Sequence, residues 1–365
     1  MTRDFEIEHI AARLLDVPMR QAFGIAGGAQ EVARNVLVEV TLRSGVRGWG
    51  EAAPLPAFNG ETQSDALAAL SRVGLSGLSG ADVRAWRPLA DTVREATLPS
   101  ASAACAVESA VLDALTRALG TSLRAFFGGA ETTLQTDFTI TTGSVDDAAR
   151  DARAWRHFAT LKIKVGGRAD HDVDLDVKRV LAVHENAPDA RLMLDANGGL
   201  SVDAAVHLAK ELRARHVVPA LFEQPVAAGD WSALAEVRGR TNLPIAIDES
   251  VTRAEDVIAA HRAGAADAAN VKLMKSGIVR ALDIVATTRA CGMLPMIGGM
   301  VETRLAMATS ACLAAGLGGF AFVDLDTPLY LAEDPFEEGR GMRYDGDRLD
   351  LSTIALGHGC VPRLA

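Results

Sequence analysis

The sequence predicts a closed (β/α) barrel with an α+β domain on its N-terminal side. Three observations lead there. From about residue 133 short apolar runs alternate with helix-like segments at roughly 25–30 residues per unit, the signature of a parallel α/β fold. Eight such runs occur, which favours a closed barrel over an open sheet. The first third has a different texture, and 365 residues suffice for one barrel with an added domain.

In the first third, residues 3–15 and 34–43 read as strands, and Trp49-Gly50-Glu51 closes a third after the Ser44-Gly45 turn. Between the first two lies Pro18 to Gly28, rich in glycine and read as a loop too long for a tight hairpin. A second loop follows from Ala52 to Gly60, with two prolines and Phe58. Long ordered loops in compact domains serve as functional lids about as often as plain connections. Helices then dominate to about residue 127, with Val107, Val111, Ala114 and Ala118 at helical spacing and Gly120 at the stop.

The eight runs are Leu134–Ile140, Leu161–Val165, Arg191–Asp195, Ala220–Glu223, Ile245–Asp248, Asn270–Leu273, Leu294–Ile297 and Phe320–Asp324. Segments between them have helical periodicity, as in Val173, Val177, Val180 and Leu181, or Ala205, Leu208, Ala209 and Leu212. No G-x-G-x-x-G opens a helix after the first strand, which argues against a dinucleotide-binding domain. Residues 342–365 regain strand character and are expected to return to the N-terminal domain. The expected organisation is a domain at 1–127 with specificity loops at about 18–30 and 52–62, a barrel at 128–341, and the returning segment.

Thirty-seven basic residues against 47 acidic ones give a net charge of −10, which argues against nucleic acid and anionic membrane as partners. Cys105, Cys291, Cys312 and Cys360 lie far apart with no C-x-x-C, as reduced and mostly buried thiols would. The N-terminus shows no signal-peptide pattern, and no stretch approaches a membrane span. A cytoplasmic protein is expected, and a homo-oligomer is left open.

Chemistry in such barrels sits at the C-terminal ends of the strands. Those ends read Lys162-Ile163-Lys164, Asp195-Ala196-Asn197, Glu223-Gln224-Pro225, Asp248-Glu249-Ser250, Val271-Lys272-Leu273-Met274-Lys275 and Asp324-Leu325-Asp326. One carboxylate after an apolar run is an ordinary first residue of a solvated loop. Three on consecutive strands, Asp195, Glu223 and Asp248, would converge on one rim and repel unless a cation neutralised them. All-oxygen ligation points to a hard divalent ion, Mg²⁺ before Mn²⁺. Lys162 and Lys164 share one face of their strand, and an inward pair of ammonium groups is costly without such partners. Lys164 and Lys272 would face a substrate carboxylate from opposite sides, one abstracting the α-proton and the other returning one. That role calls for lysine pKa values lowered by neighbouring cations and partial desolvation. Lys275, just past its strand, reads as solvent-exposed.

Together these motifs resemble the enolase superfamily, in its muconate-lactonising-enzyme-like subgroup, over essentially the whole chain. The resemblance implies a modified (β/α)₇β TIM-type barrel, an N-terminal α+β capping domain completed by the C-terminal segment, and an essential Mg²⁺. It implies Asp195, Glu223 and Asp248 as ligands, Lys164 and Lys272 as acid and base in a 1,1-proton transfer, and Lys162 as a stabiliser of the enolate. Asp324-x-Asp326 resembles the dipeptide epimerase motif that grips a substrate ammonium group, and two carboxylates on one strand face would suit that grip. Gly298-Gly299-Met300 resembles that family's seventh-strand loop, so Gly298 and Met300 join Asp324 and Asp326 as expected substrate contacts. A dehydratase would be expected to have a His at the end of strand seven, where this chain has Ile297-Gly298-Gly299.

Epimerases acting on Ala-Glu present an arginine at a place that falls here on Gly27 or Gly28, and the loop offers Phe23 and Ile25 instead. The expected substrate is therefore an L,L-dipeptide with an apolar second residue. A cationic second residue is the alternative, given Glu51, Glu61 and Asp65 nearby. The alternative activities are an N-acyl amino acid racemase, an o-succinylbenzoate synthase or a muconate cycloisomerase. A catalytically silent metal- and peptide-binding scaffold is the non-enzymatic alternative.

Overall fold

The computed structural model describes residues 3–25, 28–75, 77–167 and 171–363. The chain opens with β1 (Ile7–Ile25) and β2 (Gly28–Leu42), one long antiparallel hairpin, and β3 (Arg47–Ala52) adds to β2. The segment read as a loop at Pro18–Gly28 is therefore largely strand. Pairing lapses between Pro18 and Phe23 and resumes through Phe23–Gln30 to Ile25–Gly28. Pro18 has no N–H to give, and its carbonyl accepts instead from Ala332 N at 2.8 Å.

The second loop contains α1 (Pro56–Asn59), followed by α2 (Gln63–Leu75), α3 (Trp86–Thr97), α4 (Ala101–Ala118) and α5 (Leu123–Phe126). Ser100 caps α4 by accepting from Ala103 N. Nearly all of α4 is buried, because small residues let it lie directly on β3. A Cβ on Gly48 would stand 2.2 Å from Ala114 N, and one on Gly50 would stand 2.0 Å from Ala106 O.

The barrel follows, with β4 (Thr133–Gln135) as its preface. Its elements are β5 (Phe138–Ile140), α6 (Val145–Trp155), β6 (Thr160–Lys164), α7 (Val173–Asn186), β7 (Arg191–Asp195), α8 (Val202–Ala214) and β8 (Leu221–Glu223). Then come α9 (Trp231–Thr241), β9 (Ile245–Ile247), α10 (Ala254–Ala263), β10 (Ala268–Lys272), α11 (Leu273–Ala290), β11 (Leu294–Gly298), α12 (Arg304–Leu317) and β12 (Phe322–Asp324). Strands β5 to β12 form one parallel sheet in chain order, with a helix in every gap and none after the eighth strand before the turn Thr327–Tyr330, so the barrel is (β/α)₇β. At the seam between β12 and β5, Asp137 N donates to Val323 O at 3.0 Å and Thr139 N to Asp326 Oδ2 at 2.5 Å.

The apolar run Leu134–Ile140 is thus two strands. Thr136 N turns to Asp347 O while Asp137 N turns to Val323 O, so one segment serves two sheets. β4 leaves the barrel to pair with β14 (Arg348–Asp350), which pairs with β13 (Arg343–Asp345). Beyond them Gly357 exchanges hydrogen bonds with Thr121 and Leu123, and His358 N donates to Asp113 of α4 at 2.9 Å. The C-terminal segment therefore lies on the N-terminal helices.

Met193, Leu221, Ala246, Ala268, Met296 and Phe322 point into the barrel as a buried apolar floor, separate from the main core. Polar side chains stand two residues further along several of the same strands. Two contacts fix the N-terminal domain over this mouth. Glu108 of α4 accepts from Ile278 N and Val279 N where α11 kinks at Gly277. Glu51 of β3 caps α12, accepting from Thr303 N at 2.9 Å, Thr303 Oγ1, and Ala306 N at 3.3 Å.

Candidate active site

Strand register assembles the site. Lys164, Asp195 and Glu223 are successive neighbours across β6, β7 and β8, all pointing inward above the floor. Lys272 ends β10, four strands from Lys164 in an eight-stranded ring, so the two ammonium groups face each other across the barrel. Lys162, Lys164, Lys272, Asp195, Glu223 and Asp248 are all buried. Lys164 Nζ lies 2.5 Å from Asp195 Oδ2, and Lys272 Nζ lies 2.7 Å from Asp248 Oδ2. Lys162 Nζ bonds Asp324 and stands 3.8 Å from Asp195 and 3.7 Å from Glu223.

Backbone and side-chain detail holds the carboxylates. Asn197 and Gln224, each just after a site acid, have positive φ of 44° and 35°, so the chain turns away as soon as the carboxylate is delivered. Gln224 Oε1 accepts from Asp248 N and Ser250 N, tying the end of β8 to that of β9. Asn270, on the inward face two residues before Lys272, donates to Glu223 Oε1 at 2.5 Å. Gly298 is explained by that side chain, since a Cβ there would stand 2.7 Å from Asn270 Oδ1.

The acids beside Lys162 and Lys272 set the electrostatics of those two lysines. Burial alone would lower the Lys162 and Lys272 pKa values. The carboxylates facing them outweigh it, Asp324 and Glu223 at Lys162 and Asp248 and Glu223 at Lys272, and hold both groups above the ordinary lysine value. Lys162 and Lys272 are held as ammonium ions as long as they alone neutralise these acids, and a cation bound to the same acids would relax that hold. Asp248 is held well below its usual value because Lys272 and Lys275 overcome its burial. Burial and the Asp195 charge push Glu223 up to about 7.

Lys275 is a correction. The first turn of α11 follows Lys272 without a loop and folds the side chain back, so Nζ bonds Asp248 Oδ1 and Asp248 O at 2.5 Å and is buried rather than exposed. Asp324 ends β12, whereas Asp326 already has a helical backbone, so the two do not share a strand face. They still converge, with Asp326 Oδ2 taken by Thr139 N and Oδ1 without a partner among the described residues.

One cavity is lined by Lys162, Lys164, Lys272, Asp324, Asp326 and Met300 together with Phe23, Leu55 and Phe58 of the N-terminal domain. The Phe58 ring centre is 5.6 Å from Lys272 Nζ. Phe23 packs edge-on against Tyr330. Ile25 ends β1, but its side chain lies outside the described residues, as does Gly27, while Gly28 opens β2. A larger groove of about 780 Å³ lies beyond Phe23 and Leu55, but it includes none of the site acids or lysines. Met300 N donates to Glu302 Oε1 at 2.7 Å, and burial pushes Glu302 up to about 8 despite that bond.

The carboxylates behind the cationic alternative are committed elsewhere. Glu51 caps α12, Glu61 accepts from Ser100 and Ser102, and Asp65 accepts from Thr62. None of them lines the cavity.

The donor set suits a hard cation: three buried carboxylates, no sulfur or imidazole, and Glu223 Oε2 without a hydrogen-bond partner among the described residues. Lys162, Lys272 and Lys275 stand among these acids. Among the described residues, Asp137, Asp324 and Asp326 each bring one carboxyl oxygen within 4.8 Å of the other two. Sequence reasoning passed over Asp137, Asn270 and Gln224. Asn270 had a signal, since period two puts it on the Lys272 face.

Models of the mandelate racemase / muconate lactonizing enzyme N-terminal domain and of the enolase C-terminal domain-like family match residues 9–128 and 144–363. An aromatic dipeptide epimerase of Herpetosiphon aurantiacus is 45% identical over 97% of this chain and 98% of its own length. A hydrophobic dipeptide epimerase of Citrifermentans bemidjiense is 35% identical over the full length of both chains. Among solved structures, a dipeptide epimerase of Enterococcus faecalis V583 complexed with Mg and L-Leu-L-Tyr superposes with a TM-score of 0.90 at 29% identity, covering 97% of this chain and 99% of that one.

Proposed function

The chain belongs to the enolase superfamily, in its mandelate racemase / muconate lactonizing branch, and from that premise we propose that it is a Mg²⁺-dependent dipeptide epimerase. It inverts the α-carbon of the second residue of an L,L-dipeptide, with an apolar side chain preferred there. One observation carries the reading. Two buried lysines face each other across a cavity that has Asp324 and Asp326 at one side and an apolar wall of Phe23, Leu55, Phe58 and Met300.

Asp195, Glu223 and Asp248 would hold the cation, which supplies Lewis-acid stabilisation to a carboxylate whose α-proton is being removed. Lys164 and Lys272 take and return that proton on opposite faces of the α-carbon. Lys162 keeps a positive charge beside the reacting carboxylate and anchors Asp324. Asp324 and Asp326 receive the ammonium group of the first residue. A free N-terminus is thereby favoured over an acylated one, which would leave two buried acids unmatched. The reading extends to a cytoplasmic location, supported by free cysteines of which Cys105, Cys312 and Cys360 are buried.

The test is exchange in D₂O. With Mg²⁺ and dipeptides ending in Phe, Tyr, Leu or Val, the second residue's α-proton should vanish from the NMR spectrum as the diastereomer appears, and chelator should stop both. A dipeptide panel in which no α-proton exchanges would sink the assignment.

A further inference from the structure

Asp137 immediately precedes β5 at the barrel seam. Its N–H donates to Val323 O, which sets it level with Asp324 on the adjoining strand. One carboxyl oxygen from each of Asp137, Asp324 and Asp326 lies within 4.8 Å of the other two, and all three residues are buried. Neither Asp137 oxygen has a hydrogen-bond partner among the described residues. Nearby donors are already engaged: Lys162 Nζ with Asp324, Thr139 N with Asp326, Thr136 Oγ1 with Val323 O, and Tyr330 Oη with Thr139 O.

A carboxylate ion in that position has given up water and gained no donor, a penalty of several kcal/mol. As a carboxylic acid the same group brings its own O–H, and its neighbours are acceptors. Charge balance agrees. Lys162 and a substrate ammonium supply two positive charges against Asp324 and Asp326, and a third negative charge would have no counterpart.

We propose that Asp137 is a neutral acid that donates its O–H to the Asp324–Asp326 pair, a positioning residue that orients those two carboxylates toward the substrate ammonium. The ammonium part rests on the epimerase reading above. The charged and titratable groups facing Asp137 are Asp324 and Asp326 from β12 and the residues after it, Lys162 from β6, and Tyr330 from the following turn. Burial and Asp324 hold its proton well above the usual carboxyl range, with Lys162 opposing and Asp326 adding.

The test uses full-length, Mg²⁺-loaded protein with Asp137→Asn and Asp137→Ala. In the resting protein, the infrared difference between wild type and Asp137→Asn should show one protonated-carboxyl carbonyl band that shifts in D₂O. In turnover of an apolar dipeptide, Asp137→Asn should stay within about threefold of the wild-type KM, because its amide N–H replaces the acid O–H. Asp137→Ala should raise KM about tenfold or more with kcat less affected, the size of one lost hydrogen bond to a charged group.

An absent band, or an Asp137→Asn variant as impaired as Asp324→Asn, would mean an ionised Asp137 and overturn the proposal. A band that emerges only after chelation would overturn it in favour of a metal ion on the three acids. Two unimpaired variants would overturn the positioning role. A band present with no dipeptide turned over would instead defeat the epimerase reading and leave the Asp137 proton standing.

Discussion

Lys164 and Lys272 each hold a buried carboxylate as well as facing the cavity, so deleting either has two effects. Lys164→Ala should lower epimerisation by about 10³-fold or more, within the range of a positioned acid or base. It should also leave Asp195 without its nearest cation and lower stability by roughly 3 kcal/mol in metal-free protein. With Lys272 intact, solvent deuterium should enter the variant's substrate from only one epimer, which NMR of each diastereomer in D₂O would reveal. Equal exchange from both would remove the two-sided assignment. Asp326→Asn tests the ammonium pocket: KM for a dipeptide should rise about 10- to 100-fold, as expected for a weakened charge-assisted bond, while an N-acetylated analogue binds no worse than before. At this scale the convergence of the buried lysines and acids was legible because each is costly after an apolar run without partners. Lys275 was not, since its direction depends on a helix that starts with no intervening loop.

Elements were legible where one residue's period sufficed and obscure where a distant partner decided. The barrel strands and α4 follow from local patterning. The β1–β2 extension does not, because glycine-rich sequence reads as loop until Gln30 is seen opposite Phe23. The break between β4 and β5 is set by Asp347 and Val323, roughly two hundred residues downstream by simple numbering, and no window over Leu134–Ile140 contains them. Close approach of α4 to β3 gives a prediction at this level. Gly50→Ala would press a methyl onto helix backbone that has no rotamer to yield, so α4 must move, at a cost of about 2–3 kcal/mol. Urea titration measures that, and an unchanged midpoint would mean the helix is free to slide. Activity should fall with it, since α4 also carries Glu108 to the kink in α11.

For the molecule as a whole, pH sets a limit on stability through its buried acids. Glu302 keeps its proton when folded up to about 8 against an ordinary 4.5, so the folded state binds the extra proton between those values. Its contribution is complete below about 4.5 and is lost as pH rises through about 8. Glu302→Gln should flatten the decline in unfolding free energy across that window, by up to about 1.4 kcal/mol per pH unit. Denaturant titrations at several pH values check this, and an unaltered slope would assign the decline to other groups. The Glu51 cap on α12 has a separate consequence for how such proteins diversify. Asn35 Nδ2 donates to Glu51 Oε1 at 2.6 Å and to Val301 O at 3.0 Å, so the N-terminal domain both supplies an acceptor to the first turn of a barrel helix and holds that acceptor in place. A chimera that grafts a relative's N-terminal domain onto this barrel leaves Thr303 N and Ala306 N without their Glu51 acceptor, with only the Thr303 side chain capping the helix, unless an acid and an amide arrive at those two positions. New substrate preferences are therefore more readily reached by changing Phe23, Leu55 or Phe58 within an unbroken frame than by exchanging the domain that carries them.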